Sequence, residues 1–445
     1  MSNSTNRQLL LLSIPGLRDQ DLASMPSLMS LFDQGTKSRI KHSFPAVTWP
    51  SQANLLTGKT PDQHGVVANG FYWRESGKVE MWTAWNKVIE QPQIWDVLKQ
   101  QSPEIKTAAW FPMLSKGCGA DYVCMPAPIH QPDGSEDLWC YTKPQEFYGQ
   151  LLEELEHFPL QHFWGPLANI KSTKWICDSA VRCASEFKPD FFYIYLPHLD
   201  YAAQKFGPDS DEALQAVSDL DQLIGEFSKA MSGVYNSGLS WMVASEYTIT
   251  AVDHVSYPNR VLREAGLLSV KLEDGREHID FENSPAWALV DHQFSHIFVR
   301  DQSQEVIESV CKVFSRAEGI AEVLSGSQRD KYSMGHERSG EVILVSTSNS
   351  WQAYYWWQDD TLAPAFASTV DIHRKPGYDP IELHFDFATK SVPLDATLAK
   401  GSHGAPAESD AQRGVLLSSD KLEVESEILD TDIFAHVIGH FQGIR

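Results

Sequence analysis

The chain has 445 residues, enough to bury a large core as one large α/β domain with insertions or as two domains. Its composition is ordinary for a globular protein, 42% hydrophobic and 21% charged. The formal net charge of −23 argues against an electrostatic grip on a nucleic acid polymer, but leaves small phosphate esters open, because a metal site can reverse the field locally.

In chain order, residues 1–8 are polar and residues 9–14 form a short apolar run that reads as a buried strand, followed by the turn Pro15-Gly16. That run is too short for the core of a signal sequence, and no other run approaches membrane-spanning length. Further strands are expected at 107–111, 191–196, 240–244, 295–299 and 341–346. Helices are expected at 94–101, 150–156, 172–186, 211–231 and 304–317. This alternation implies an α/β protein with a mostly parallel sheet and helices on both faces, whose ligands sit at the C-terminal ends of the strands. The stretch 79–168, rich in Trp, Pro and Phe, reads as a cap or insertion, and the tail from Leu422 onward as folded. The six cysteines form no Cys-x-x-Cys pair and read as reduced thiols; Cys118 and Cys124 would pair only in an exported chain. A soluble cytoplasmic protein without a membrane partner is the expectation; the oligomeric state is left open.

The segment Phe44-Pro45-Ala46-Val47-Thr48-Trp49-Pro50-Ser51 carries the most chemical information. An apolar, β-branched approach ends at a hydroxyl, and Pro50 sits where a helix begins. Thr48 is thereby placed at a helix N-terminus, where unpaired N–H groups and the helix dipole favour an anion. For an isolated Thr-x-Pro the plainer reading is an N-cap without chemistry. Here the segment continues through Leu56-Thr57-Gly58, Pro61-Asp62-Gln63-His64-Gly65 and Asn69. With these elements in series the chain resembles the type I phosphodiesterase/nucleotide pyrophosphatase branch of the alkaline phosphatase superfamily. The resemblance implies an alkaline-phosphatase-like fold and two divalent metal ions (Zn, Mn or Mg). It implies Thr48 as the nucleophile of an in-line displacement that forms a phospho-enzyme, and Asn69 as a donor to the phosphoryl oxygen.

The same resemblance assigns metal positions. The pattern Pro-Asp-x-x-Gly-His-x-x-Gly-Pro falls on the segment that ends at Gly207-Pro208, where Asp200 matches and Gln204 replaces the histidine. Ser-Asp-His-Gly falls on Ser245 onward, with Glu246 for the aspartate and Tyr247 for the histidine. Ser-x-Asp-Gly falls on Ser13-Ile14-Pro15-Gly16, where Pro15 offers no ligand. Gly-x-His-Gly is matched by His403. Asp200, Glu246 and His403 are thus the expected ligands, one or two ions in number. His292 and His296 are candidates to replace the lost imidazoles, or else are structural histidines; His198 and His254 are weaker candidates. His198, Gln204 and Tyr247, with Arg374 and Lys375 of a basic knot, are candidate substrate contacts, although the knot can equally pair with Asp359, Asp360 and Asp371. The aromatic run 351–360 reads as strand packing. The expected function is hydrolysis of small phosphate diesters or nucleotide-type pyrophosphates at a modified metal site. The alternative is a non-hydrolytic descendant, a ligand-binding protein or metal-independent transferase, using the same cleft.

Overall fold

The first apolar run folds as β1 (Gln8–Ile14), and the computed structural model describes residues 8–130, 136–236 and 238–443. Leu9 to Leu12 are buried on both faces of the sheet, which is why the run is continuously apolar rather than alternating. After β1 come β2 (Thr36–Lys41), α1 (Thr48–Thr57), α2 (Ile94–Gln101), β3 (Thr107–Trp110), β4 (Tyr122–Pro126), β5 (Cys140–Lys143) and α3 (Phe147–Leu155). Then follow α4 (Ile170–Phe187), β6 (Phe191–Tyr195), α5 (His198–Phe206), α6 (Asp211–Tyr235) and β7 (Leu239–Ser245). The chain continues with β8 (Ala286–Asp291), β9 (Phe294–Val299), α7 (Gln304–Phe314), β10 (Ile320–Ser325) and β11 (Val342–Ser346). It ends with β12 (Arg413–Ser418), β13 (Glu427–Leu429) and α8 (Asp432–Gln442).

Nine strands form the central sheet in the order β13-β2-β12-β7-β1-β6-β3-β4-β5. Five consecutive strands, β7 to β4, run parallel. β12 is antiparallel to both β2 and β7, and β5 is antiparallel to β4. The mostly parallel α/β sheet is therefore present, with antiparallel strands near its margins.

Two expectations change. Residues 295–299 and 341–346 are strands, but they belong to a separate antiparallel sheet of order β8-β9-β11-β10. Only His292 and Gln293 separate β8 from β9, and so short a link makes a hairpin, never a parallel crossover. This sheet has its own core, in which Trp351 and Tyr354 to Trp357 are buried, as packing aromatics should be. The second change concerns 79–168. That stretch, read as a cap or insertion, also supplies β3, β4 and β5 to one end of the central sheet, and Trp95, Trp110, Phe147 and Tyr148 to the main core. Its loops, with the ends of β4 and β5, reach the cleft; residues 131–135 of it lie outside those described.

All six cysteines are free, five of them buried. Among the described residues no helix is long and apolar enough to cross a membrane.

Candidate active site

Val47 is extended (φ −128°) and Thr48 opens α1, all ten residues of which are buried. Pro50 is accommodated because the first turn needs no N–H from it. Of the donors of that turn, the Trp49 N–H donates to Asn69 Oδ1 at 3.0 Å, the Ser51 N–H donates to the Val47 carbonyl at 3.0 Å, and Pro50 has none. Asn69 in turn donates through its main-chain N–H (2.8 Å) and Nδ2 (3.1 Å) to the two oxygens of Asp291. Asn69 thus ties the start of α1 to the β8–β9 hairpin, and the anion-binding capacity expected of this helix start is mostly used within the protein.

The loops after β6 and β7 place two further groups beside Thr48. Thr48 Oγ1 lies 3.1 Å from the Tyr247 hydroxyl, which donates to Asp200 Oδ2 at 3.4 Å. Gln204, one turn along α5, donates from Nε2 to Asp200 Oδ1 at 2.9 Å, and its carbonyl accepts from the Tyr378 hydroxyl at 2.8 Å. The rings of the same residues form a column. Tyr247 stacks on His403 with centroids 3.7 Å apart and planes within 5°, His403 meets His292 at 3.8 Å, and His292 stacks on Tyr378 at 4.0 Å. His292 occupies the hairpin turn at φ 55°, a left-handed conformation that a side chain adopts only when its surroundings hold it.

His403 Nδ1 donates to the Ala46 carbonyl at 2.7 Å, which leaves Nε2 as a bare lone pair. That atom is buried without a hydrogen-bond partner and lies 3.9 Å from Asp200 Oδ1. Burial pushes the Asp200 carboxyl up to about 7 and the His403 imidazole down to about 3. Glu246, which follows β7 directly, is held by Ser13 (2.6 Å), Gln52 (2.9 Å) and Tyr193 (3.3 Å), which all donate to Oε1, and burial lifts it to about 8.

Do these side chains fit two divalent ions? A metal site needs three or more converging side-chain ligands, each oriented by a neighbour that leaves its lone pair free. At the Asp200 position only Asp200 and His403 offer them. Gln204 turns its amide NH₂ to the carboxylate, and its carbonyl is taken by Tyr378. At the Glu246 position Oε1 accepts three donors and Oε2, buried without a hydrogen-bond partner, is the one free ligand atom; Tyr247 is a neutral phenol whose pKa burial drives well above 10, and Pro15 has no ligand atom in its side chain. Among the described residues no group of three or more His, Cys, Asp or Glu is placed to hold a metal ion. The donor set does not fit the two-metal arrangement.

The remaining candidates separate clearly. His296 is not brought to Thr48: its Nε2 lies 3.0 Å from the Val67 carbonyl and its Nδ1 accepts from Gly340 N–H at 3.1 Å, so both ring nitrogens serve the backbone. His198 opens onto a different small cavity, with Nε2 4.0 Å from Asp219. His254 bonds to Ser350, away from Thr48 and outside the lining of the cleft. Lys375 is buried against Asp379 and Glu382 and is absent from the lining of the cleft, because a buried ammonium stays with its counter-charges. Arg374 reaches the cleft but pairs with Asp371.

Thr48, Asp200, His292 and Tyr378 lie on the wall of a cavity of about 1050 Å³. The rest of that wall is largely apolar, with Trp82, Trp139, Trp164 and Met125 prominent and Lys116 and Arg374 as its lysine and arginine. Two residues of the network were not picked out from the sequence. Tyr378 sits in a segment whose basic residues drew attention first, and Asp291 stands beside the histidine that did. A carboxylate next to a two-residue hairpin turn was the available signal for the second; nothing short of the folded contact marks the first.

Residues 9–379 match the family described as Type I phosphodiesterase / nucleotide pyrophosphatase. Ectonucleotide pyrophosphatase/phosphodiesterase family member 7 of Rattus norvegicus is 24% identical over 262 residues, 55% of this chain and 51% of that protein. Bis(5'-adenosyl)-triphosphatase ENPP4 of Bos taurus is 24% identical over 263 residues, 56% of this chain and 49% of that protein. The chain spans about half the length of the curated relatives it matches. Among solved structures, phosphonoacetate hydrolase from Sinorhizobium meliloti 1021 in complex with phosphonoacetate aligns over 98% of this chain and 95% of that one, with a TM-score of 0.65 at 15% identity. Murine ectonucleotide pyrophosphatase / phosphodiesterase 5 in complex with AMP aligns over the same shares, with a TM-score of 0.62 at 14% identity. These two likenesses are of fold.

Proposed function

The chain belongs to the type I phosphodiesterase/nucleotide pyrophosphatase family, and from that membership we propose that it cleaves a small phosphate diester with Thr48 as the attacking group. The observation that carries the reading is the Thr48 hydroxyl on the cavity wall, in contact with Tyr247, which itself rests on Asp200. As Thr48 Oγ1 bonds to phosphorus, its proton passes to the Tyr247 oxygen and the Tyr247 proton passes to ionised Asp200. The ester P–O bond breaks, and the leaving alkoxide takes a proton from water in the open cavity. Water then attacks the phosphothreonine and gives its surplus proton to the hydroxide left in the cavity; the Thr48 O–P bond breaks, and the two protons return along the same path, from Asp200 to Tyr247 and from Tyr247 to Thr48. A carboxyl raised to about 7 is matched to accepting a proton near neutrality.

A diester suits this floor better than a monoester. Among the described residues no lysine or arginine hydrogen-bonds to Thr48, Tyr247, Asp200 or Gln204, and a singly charged ester is less repelled by the carboxyl groups than a doubly charged one. The tryptophan-lined wall supports a large apolar or aromatic alcohol on the ester. The free cysteines support a reducing compartment such as the cytoplasm.

The test is turnover of a nitrophenyl diester by the parent and by Thr48→Ala, together with a mass-spectrometric search for phosphorylated Thr48 after acid quench. Loss of rate on the order of 10³-fold, with a trapped adduct in the parent only, is expected; equal rates overturn the nucleophile. One observation favours the second reading, a non-hydrolytic descendant: the Trp49 N–H and Asn69, which would stabilise phosphoryl oxygens, are engaged with each other. Ligand-induced thermal stabilisation without turnover or adduct would select it.

A further inference from the structure

Two of the side chains that depart from the family's ligand pattern, Gln204 and Tyr247, are not merely missing ligands; each is locked into place by a partner. Gln204 is held at both ends. The Tyr378 hydroxyl donates to its carbonyl, which dictates that the amide NH₂, and not the oxygen, faces Asp200. Tyr378 is itself fixed by stacking on His292, whose ring continues to His403 and Tyr247. Tyr247 closes the circuit, because its hydroxyl reaches the other oxygen of Asp200. Each oxygen of Asp200 therefore receives a neutral donor, Nε2–H of Gln204 on one side and O–H of Tyr247 on the other.

We infer that the floor of this cleft is a metal-free unit, in which Gln204 oriented by Tyr378 and Tyr247 stacked on His403 take over the places of metal-binding histidines. The unit shares its location with the proposed diesterase site but does not depend on that chemistry. Its second consequence is that a single side chain separates it from a cation site. Asp200 and His403 already present ligand atoms 3.9 Å apart, and the His403 Nδ1 contact with Ala46 leaves Nε2 as the free nitrogen. Residue 204 is the i+4 neighbour of Asp200 on α5, the spacing that sets two ligands on one helix face.

The experiment is metal analysis by inductively coupled plasma mass spectrometry, with thermal melting in zinc or in chelator. It is run on the full chain for the parent, Gln204→His and Tyr378→Phe. The parent is expected to hold no stoichiometric zinc, manganese or magnesium after dialysis and to melt identically with and without chelator. Gln204→His is expected to retain about one zinc ion per chain and to melt higher in zinc than in chelator. Tyr378→Phe is expected to stay metal-free but melt lower, because the Gln204 carbonyl loses its donor. A parent that retains a divalent ion, and loses it on Asp200→Asn or His403→Ala, overturns the inference. So does a folded Gln204→His that binds no zinc, for the part assigned to residue 204. Should that variant fail to fold, the parent's metal content and chelator response still decide. Inactivity of Thr48→Ala bears only on the proposed function, and zinc content bears only on this unit, so the two can fail separately.

Discussion

At the scale of single residues, Thr48 shows what a motif carries and what it leaves out. The apolar approach and Pro50 placed it at a helix start, and it is there. What surrounds it follows from contacts across 199 positions of chain, as with Tyr247, and these no local pattern records. The Thr48–Tyr247–Asp200 path gives a pH signature. Asp200 must be ionised to take a proton, and burial sets it at about 7, so kcat is expected to rise across pH 6 to 8. Tyr247 stays protonated throughout this range, because burial moves it upward. A pH–rate profile of the parent checks the limb. Tyr247→Phe should lower kcat by on the order of 10²-fold or more with a smaller change in KM, since it removes the proton's first stop and leaves the wall of the cavity intact. A profile that is flat through neutrality would remove Asp200 from the mechanism.

At the scale of elements, α1 is wholly buried yet has polar residues at its centre, and one carboxylate holds both Asn54 of this helix and Ser43 of the segment that leads into it. Asp430, between β13 and α8, accepts from Asn54 Nδ2 at 2.8 Å and from the Ser43 N–H and hydroxyl at 3.1 and 2.6 Å. Asn54 passes the constraint to His64 Nε2 at 2.8 Å. Asp430→Ala would strand these donors out of water and is expected to cost about 3 kcal/mol, read as a lower urea midpoint at unchanged m-value. Most elements were legible from periodicity: α4, α6 and α7 lie within a few residues of the apolar patterns that announced them. What the pattern could not distinguish was the sheet to which a strand belongs. β9 and β11 are as uniformly buried as β1, and uniform burial looks alike whether the neighbours run parallel or antiparallel. The hairpin that decides the matter depends on β8, which lacked an alternation to reveal it.

At the scale of the whole molecule, the charge of −23 acts on any anionic substrate before contact. The Debye length falls from about 30 Å at 0.01 M salt to about 8 Å at 0.15 M. Screening should therefore raise kcat/KM for a charged diester by roughly 2- to 10-fold over that interval, and leave an uncharged ligand's binding unchanged. Stopped or steady-state rates in sodium chloride measure it; a falling kcat/KM would mean that Lys116 and Arg374 on the cavity wall outweigh the net field. The aromatic richness of 79–168 illustrates the limit of composition at this scale. Trp110 and Phe147 pack the main core while Trp82 and Trp139 line the cleft, and only the folded sheet tells the two uses apart.

The strand order also has a meaning in time. β2 carries the chain directly to Thr48, but both of its neighbours in the sheet, β12 and β13, lie beyond residue 412, as does Asp430, which secures α1. A polypeptide emerging from the ribosome at roughly 5–20 residues per second would expose the Thr48 segment early and keep its scaffold waiting for some tens of seconds. The first segment of the cleft to be translated is thus among the last to be seated, and until the tail arrives β2 and β7 each present an open edge that a chaperone, or another nascent copy, can occupy.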